Sequence, residues 1–220
     1  MKSLKKDTFR SERETMVQTQ LIRRNITDKR VLAAMRKIPR DEFVPESHKK
    51  RSYNDSPLAI GNGQTISQPY MVASMTELLA LSGSETVLEV GTGSGYQAAI
   101  LAELADTVYS IERFSDLSRY AHQRLQKCGY TNVFLKTGDG SKGWQEYAPY
   151  DRIIVTAGAP KIPPTLLLQL QYNGKLVIPV GSQYSQELTL VVKNKKGGNR
   201  VQKLYGCIFV PLIGKEGWEK

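Results

Sequence analysis

Residues 87–97 read Val-Leu-Glu-Val-Gly-Thr-Gly-Ser-Gly-Tyr-Gln, and they join a strand-like apolar run to a glycine-rich turn and the start of a helical pattern. In α/β proteins built on a parallel sheet, such a turn lies at the carboxyl edge of the sheet, where ligands bind. Glycine allows positive φ angles and lets the backbone approach a ligand closely. The stretch therefore predicts a buried strand, a ligand-binding turn and the beginning of a helix.

Strand-like runs and helical patterns alternate after residue 85. The predicted strands cover residues 86–90, 107–111, 132–136, 150–156, 175–179, 188–192 and 208–212, and the predicted helices cover residues 96–104, 115–127 and 164–171. This alternation predicts an α/β fold with a seven-strand, mostly parallel sheet, helices on both faces and right-handed crossovers. A glycine-rich linker at residues 195–199 and no clear helical pattern lie between the last two strands, so we expect those two to run antiparallel.

The first 82 residues have a different character, with helical periodicity and loops. Apolar spacing predicts one helix over residues 12–25, a second between Asp28 and Pro39, and a third from Pro69 onward. Asp28 can cap the second helix, and Pro69 suits a first helical turn. Turn-forming residues at 53–68 predict a loop. We expect residues 1–82 and residues 83–220 to form one compact unit.

Positive charge is concentrated at the amino end of the chain. The net charge is +10, and residues 1–51 hold fifteen Lys and Arg against seven Asp and Glu, which gives +8. Such a segment could bind nucleic acid or an acidic substrate. Aromatic residues do not alternate with the basic ones, as a single-strand-binding surface requires. We therefore favour a solvated helical face and expect no nucleic-acid partner.

The remaining bulk features indicate a cytoplasmic protein. No apolar run approaches the length of a membrane span, and the amino end lacks the apolar core of a secretory signal. Cys128 and Cys207 lie far apart in the sequence, and two cysteines make no disulfide framework, so we expect both thiols to be reduced.

The glycine spacing distinguishes between cofactor classes. A dinucleotide-binding turn has the pattern G-x-G-x-x-G, whereas this turn has G-x-G-x-G with Tyr96 at the third position, which disfavours a nicotinamide oxidoreductase. Glu89 lies just before the turn, where a carboxylate would repel a pyrophosphate but suit a cation. These residues favour a nucleoside that carries a sulfonium and an ammonium group. The alternative is a strand-to-helix turn without a ligand.

Polar residues also follow the next three predicted strands. Glu112 ends the second strand, seventeen residues after Gly95, near the usual place of an acidic residue that binds ribose hydroxyls. Asp139 follows the third strand between two glycines and could accept a hydrogen bond from an adenine amino group. Residues 156–160 follow the fourth. Glu112 alone could be a surface residue and Asp139 a turn residue, but together these strand ends predict a ligand site.

A nucleoside with a sulfonium group can donate a methyl group, and the sequence disfavours several classes of methyl acceptor. Residues 156–160 read Thr-Ala-Gly-Ala-Pro, not the Asn/Asp-Pro-Pro-aromatic motif common in enzymes that methylate base amino groups. Neither cysteine follows a proline, as the nucleophile of cytosine-carbon methylation usually does. His48 and His122 lack the spacing of metal ligands, and acidic residues form no cluster for a catechol-type metal site, so no metal is expected.

Residues 55–69, which include Thr-Ile-Ser-Gln-Pro at 65–69, resemble the hallmark of protein-L-isoaspartate O-methyltransferases. Further matching segments are residues 14–25, 31–45, 87–97, 138–140, 150–160, 174–181 and 209–212. The resemblance extends from about Arg13 to Leu212, and the motifs occur in the order and spacing of the family. The chain departs from the family pattern at Asn62, Ser141 and Cys207, which affects details of peptide binding.

This resemblance implies a Rossmann-like methyltransferase fold and S-adenosylmethionine as the methyl donor, with S-adenosylhomocysteine as the product. It implies an L-isoaspartyl or D-aspartyl residue in a damaged protein or peptide as the acceptor, and repair through a succinimide. Ser67 corresponds to the active-site serine, although a capping role ahead of Pro69 remains an alternative. The expected cofactor-binding residues are Glu89, Gly91, Gly93, Gly95, Glu112, Asp139 and Gly140, and the expected substrate-binding residues are Ile66, Thr156, Ala157, Gly158, Ala159, Val210 and Pro211.

The expected mechanism needs neither a general base nor a metal, because the acceptor carboxylate is already ionised at neutral pH. Ser67 is expected to orient this carboxylate rather than to act as a nucleophile. Two rivals remain open on the same scaffold: a methyltransferase acting on RNA or a small molecule, and a binding module without catalysis. We expect a monomer.

Overall fold

The computed structural model describes residues 7–195 and 198–219. Its α-helices are α1 (Arg10–Met16), α2 (Lys29–Lys37), α3 (Pro69–Leu79), α4 (Tyr96–Ala102), α5 (Ser115–Lys127) and α6 (Pro164–Gln169). Its strands are β1 (Leu58–Gly61), β2 (Gln64–Ile66), β3 (Thr86–Val90), β4 (Thr107–Glu112), β5 (Val133–Thr137), β6 (Tyr150–Val155), β7 (Leu170–Gly181), β8 (Gln186–Val192) and β9 (Arg200–Cys207).

Seven of these strands form one sheet in the order β5-β4-β3-β6-β7-β8-β9. The first five strands in that order are parallel to one another, and β8 is antiparallel to both of its neighbours. The predicted α/β fold is therefore confirmed, including the antiparallel end. Because β3 pairs with β4 on one side and with β6 on the other, the strand order reverses there, and this reversal is where parallel sheets bind ligands.

Alternating side chains of the central strand β3 point to opposite faces of the sheet and pack into two hydrophobic cores. Val87 belongs to the larger core, together with apolar side chains of α1 to α5. Leu88 and Val90 face the smaller core, which contains Trp144 and residues of α6. Helices thus lie on both faces of the sheet, with α1 to α5 contributing to the larger core and α6 to the smaller one. The larger core also joins residues from the first 82 positions to the sheet, since it contains Met16 as well as Val87.

The amino-terminal helices lie close to their predicted positions, although α1 begins at Arg10 rather than at residue 12. The Asp28 carboxylate accepts hydrogen bonds from the backbone N–H groups of Arg30 and Val31, so it caps α2 as predicted. The first helical stretch continues from α1 through a π turn and a 3-10 turn until Asn25, which adopts a left-handed conformation. Pro69 occupies the first turn of α3.

The prediction for the last strand is wrong. The strand is β9, and residues 208–212 instead run beside residue 158, where Pro211 forms one isolated bridge with Gly158. The apolar run at 208–212 suggested a strand, yet 78% of the Ile208 surface is exposed. The true strand begins with four exposed residues because it lies at the edge of the sheet, so its hydrophobicity gave little signal.

Residues 53–68 are not the irregular loop that was predicted, because they contain the β1–β2 hairpin. Asn62 and Gly63 form its turn with φ angles of 53° and 68°. An Asn-Gly pair is a strong signal for this type of turn. Of the other predicted segments, the linker at 195–199 lies partly outside the described residues, as does the basic extension at the amino end. Within the described part of the chain, no helix has the length and apolar character to cross a membrane.

Candidate active site

The glycine turn after β3 is fixed by the strands on both sides. The N–H of Gly91 donates to the carbonyl of Ile111 on β4 at 2.8 Å, and the Thr156 hydroxyl donates to the Gly91 carbonyl at 2.6 Å. Gly91 has a φ of +100°, and a Cβ atom there would lie 2.4 Å from Thr156 Oγ1. Only glycine therefore allows the turn to lie this close to residue 156.

Glu112 connects the end of β4 to the same turn. Its carboxylate accepts one hydrogen bond from the Gly93 N–H at 2.8 Å and another from the Phe114 N–H at 3.0 Å. Only 5% of its surface is exposed. Two backbone donors orient the carboxylate, and its remaining lone pairs can accept hydrogen bonds from a ligand.

Glu89 lies behind the turn, and its side chain is completely buried. One carboxylate oxygen accepts from the Ser110 hydroxyl, which also contacts the hydroxyl of Thr92, while the other oxygen has no partner among the described residues. Burial raises the pKa of Glu89 to about 8, and the charge of nearby Glu112 acts in the same direction. The Glu89 carboxyl is therefore largely protonated at neutral pH until a cation approaches it.

We expect Glu89→Gln to make the stability of the protein less sensitive to pH. In the unfolded chain Glu89 loses its proton near its ordinary pKa of about 4.3, whereas in the folded chain it keeps the proton until about pH 8. The contribution of Glu89 to stability should therefore fall as pH rises from about 4.3 to about 8, whereas glutamine does not titrate and contributes no such change. Thermal unfolding should show the Tm difference, variant minus wild type, rising with pH, at about 2–4 °C per kcal/mol. A difference that is constant across this range would contradict the assignment.

Asp139 and Gly140 follow β5 and have different surroundings. Gly140 packs against β3, where an added Cβ would lie 2.5 Å from Val90 Cγ1. The Asp139 carboxylate accepts from the N–H and hydroxyl of Ser141 and from the N–H of Lys215. These donors lower its pKa despite partial burial. Asp139 thus ties the carboxyl-terminal turn to the sheet edge.

Ser67 connects β2 to α3 and faces a cavity. Its carbonyl accepts from Arg40 Nη2 at 2.7 Å, while its hydroxyl forms no hydrogen bond within the described residues. The hairpin that precedes it is anchored at its tip, where Asn62 Nδ2 donates to the Asp116 carboxylate at 2.8 Å. The serine hydroxyl is therefore available to a ligand, and the backbone that carries it is fixed.

Three adjoining cavities surround these residues. The serine cavity is lined by Arg24, Pro57, Thr65, Ser67, Gln68, Tyr70, Met71, Thr156 and residues 205–210. The glutamate cavity is lined by Gln64, Thr65, Val90, Gly91, Gly93, Ile111, Glu112, Arg113, Gly140, Thr156, Ala157 and residues 210–213. The inner cavity is lined by Thr65, Ile66, Ser67, Val72, Met75, Gly91, Thr92, Gly93, Ser94, Tyr96, Gln97 and Thr156.

Two threonines, Thr65 and Thr156, line all three cavities. Thr65 belongs to the hairpin, and Thr156 follows β6. Ser67 lines both the serine cavity and the inner cavity. A ligand bound along the glycine turn and a second ligand at the serine would therefore meet beside these threonines.

The predicted substrate-binding residues separate into two groups. Ile66, Thr156, Ala157, Val210 and Pro211 line at least one of the three cavities. The backbone of Gly158 is instead paired within the chain: its N–H donates to the carbonyl of Val210, and its own carbonyl accepts from Leu212. Ala159 is fully buried and pairs with β7 through Pro179 and Gly181. The structure thus does not bring Gly158 and Ala159 to the cavities.

Arg24, Tyr70 and Tyr205 are among the residues of the serine cavity that the sequence did not indicate as site residues. The Arg24 guanidinium lies 3.4 Å from the centre of the Tyr70 ring and forms an ion pair with Asp55 at 2.6 Å. Tyr205, on β9, shares a 2.5 Å hydrogen bond with the hydroxyl of Ser74. Arg24 was assigned to the solvated basic segment. Tyr205 fell outside the predicted last strand, so nothing in its local sequence indicated a role in the cavity.

The sequence profile of the protein-L-isoaspartate(D-aspartate) O-methyltransferase family matches residues 11–217. A protein named protein-L-isoaspartate O-methyltransferase 1 from Syntrophobacter fumaroxidans is 54% identical over 211 residues, which cover 96% of this chain and 98% of that protein. A protein-L-isoaspartate O-methyltransferase from Geobacter metallireducens is also 54% identical, over 96% of this chain and 97% of its own length.

Solved structures agree with the sequence comparisons. A protein-L-isoaspartate O-methyltransferase superposes with a TM-score of 0.84 at 29% identity, over 93% of this chain and 67% of its own. A Plasmodium falciparum protein described as a putative enzyme of this kind, in complex with S-adenosyl-L-homocysteine, gives a TM-score of 0.79 at 27% identity, over 91% of this chain and 98% of its own. With a profile match over residues 11–217 and relatives at 54% identity along nearly their whole length, this chain belongs to the protein-L-isoaspartate O-methyltransferase family.

Proposed function

We propose that this protein transfers a methyl group from S-adenosylmethionine to the free carboxylate of L-isoaspartyl residues, and of D-aspartyl residues, in damaged proteins and peptides. The observation that carries the proposal is the junction of the serine cavity with the glutamate cavity at Thr65 and Thr156. An acceptor at Ser67 and a donor along the glycine turn would meet there. Family membership supports both the reaction and the cofactor. The methyl ester then leads to a succinimide, from which normal aspartate can form.

The residues around the glycine turn fit S-adenosylmethionine. Gly91 and Gly140 allow the loops after β3 and β5 to pack closely against Thr156 and Val90, where a Cβ atom would collide, and Glu112 presents a fixed carboxylate suited to ribose hydroxyls. One Glu89 oxygen has no hydrogen-bond partner in the described part of the chain and suits a cationic group, whose approach would favour the ionised carboxylate. We assign these residues, with Gly93 and Gly95, to the cofactor. We also propose that Asp139 lies beside the adenine, although its carboxylate already accepts hydrogen bonds from three donors within the chain.

The residues of the chain contribute mainly by alignment and by exclusion of water. When bound, S-adenosylmethionine supplies an electrophilic methyl group on a sulfonium centre. Ser67 donates a hydrogen bond that orients the acceptor carboxylate, which is ionised at neutral pH and needs no base. Alignment of this kind can contribute roughly 7–11 kcal/mol to catalysis. Opposite charges disappear during the transfer, so a site that excludes water favours the reaction.

The two portions of the chain have separate tasks in this proposal. Residues 1–82 supply most of the acceptor side, including Ile66 and Ser67, and residues 83–220 supply the cofactor side together with Thr156 and Val210. The partners are damaged proteins and peptides, not nucleic acids or membranes. We propose that the protein acts as a monomer in the cytoplasm.

Methyl transfer to a matched pair of peptides tests this function. One peptide carries L-isoaspartate, and the other carries L-aspartate at the same position. We expect radiolabel from S-adenosylmethionine to enter only the isoaspartyl peptide, as an ester that releases volatile methanol in base. No label on either peptide, with S-adenosylhomocysteine binding confirmed by calorimetry, would contradict the proposal. An RNA or a small molecule would then be the acceptor to test.

A further inference from the structure

Arg40 is a fully buried arginine without a carboxylate partner. Its exposed surface is 0%, and it forms no ion pair within the described residues. The guanidinium lies 4.9 Å from the centre of the Tyr96 ring, and its Nη1 atom has no hydrogen-bond partner among those residues. Burial lowers the pKa of Arg40 to about 10, so the side chain remains charged at neutral pH.

A buried charge in this setting is a poor source of stability. Removal of an ion from water costs several kcal/mol, and apolar residues of similar volume often stabilise such sites better. Arg40 recovers part of that cost through two short hydrogen bonds to carbonyl oxygens. Because stability does not account for a buried arginine here, its role is to be found in the two carbonyls that it binds.

Those two carbonyls stand at the ends of one segment. Arg40 Nε donates to the Ser52 carbonyl at 2.7 Å, and Nη2 donates to the Ser67 carbonyl at 2.7 Å. Residues 52–67 between them contain the β1–β2 hairpin, whose Thr65 lines all three cavities. One rigid, planar group thus fixes both the base of the hairpin and the backbone of the serine.

We propose that Arg40 is a positioning residue that acts through Ser67: by clamping the Ser67 carbonyl to that of Ser52, it aims the serine hydroxyl into the serine cavity. This inference rests on the proposed role of Ser67 in orienting the acceptor carboxylate. Arg40 itself lines none of the three cavities. The cofactor contacts of Glu112 and the glycine turn do not involve it.

The test is a double-mutant cycle between Arg40 and Ser67 with an isoaspartyl peptide as substrate. Arg40→Met should lower kcat by about tenfold, because misplacement of a positioning group by about 1 Å can cost up to about a hundredfold. Affinity for S-adenosylhomocysteine should change by less than about threefold, because Arg40 lines none of the three cavities. In a Ser67→Ala background, Arg40→Met should lower kcat no further, because residues that act as a unit are not additive.

Two further variants keep the test decisive. Arg40→Lys retains the charge but lacks the rigid guanidinium plane, whose Nε and Nη2 atoms bind the two carbonyls from fixed positions. It should therefore fall between wild type and Arg40→Met, and it can replace that variant in the cycle if the methionine protein does not fold. Arg152→Met is the control, because Arg152 also donates to backbone carbonyls, those of Leu79, Ala80 and Asp151, but lines none of the three cavities. Unlike Arg40, it also forms an ion pair, with Glu85. It should lower the Tm without a change in kcat.

The possible outcomes distinguish this inference from the function on which it rests. If the losses from Arg40→Met and Ser67→Ala multiply, Arg40 does not act through Ser67, and the inference is overturned. The same conclusion follows if Arg152→Met lowers kcat as much as Arg40→Met does. A wild-type protein that binds S-adenosylhomocysteine but does not methylate the isoaspartyl peptide would instead overturn the proposed function.

Discussion

Glu112→Ala should weaken the binding of S-adenosylhomocysteine by about a hundredfold, or about 2.7 kcal/mol. Two effects combine in this loss. The variant removes the carboxylate that we assign to the ribose hydroxyls, and hydrogen bonds to charged groups contribute about 1.5–3 kcal/mol. It also leaves the N–H groups of Gly93 and Phe114 without their acceptor, so the glycine turn loses one of its supports. Isothermal titration calorimetry measures the loss directly.

Two companion variants separate these effects. Glu112→Gln keeps one carbonyl acceptor and should lose less affinity than the alanine variant. Glu103→Ala removes a carboxylate that binds Tyr130 and Lys37 and lines none of the three cavities, so it should leave the Kd unchanged. An unchanged Kd in a folded Glu112→Ala protein would remove Glu112 from the cofactor site.

The strand ends that hold Glu112 were predictable because local sequence determines them. A buried strand followed by glycines, with an acidic residue at the end of the next strand, fixes which groups lie at the carboxyl edge of a parallel sheet. The predicted β3 and α5 have the same bounds as the observed elements. The placement of Gly91, Glu112 and Thr156 along one edge of the sheet therefore follows from pattern alone.

Other parts of the site depend on contacts between distant residues, which local patterns do not contain. Arg40 reaches Ser67 across 27 positions. The Asp139 carboxylate binds Lys215 across 76 positions, so its orientation could not be read from the Gly-Asp-Gly turn. The sequence predicts that Gly158 binds substrate, but its backbone N–H and carbonyl are already paired with Val210 and Leu212. Tertiary hydrogen bonds, rather than propensities, decide these cases.

Ser67→Ala should lower kcat toward the isoaspartyl peptide by about a hundredfold, because the acceptor carboxylate loses the hydrogen bond that aligns it, and misalignment by about 1 Å can cost that much. The Kd for S-adenosylhomocysteine should stay within about threefold of wild type, well under 1.4 kcal/mol. Ser67 lines the serine and inner cavities but not the glutamate cavity, where Glu112 lies. Single-turnover methyl transfer at saturating cofactor measures the first quantity, and calorimetry measures the second.

The alternative for Ser67 is a purely structural role at the start of α3, and the same experiment separates the two roles. No hydrogen bond from the Ser67 side chain caps this helix, whose first turn begins at Pro69. A structural role would lower the Tm of Ser67→Ala and leave kcat of the folded protein intact. Ser67→Thr, which keeps a hydroxyl, should recover part of the lost kcat, whereas Ser118→Ala on α5 should behave as wild type. Loss of cofactor binding in Ser67→Ala would show that the serine serves the donor side, and it would reverse the division of roles between Ser67 and Glu112.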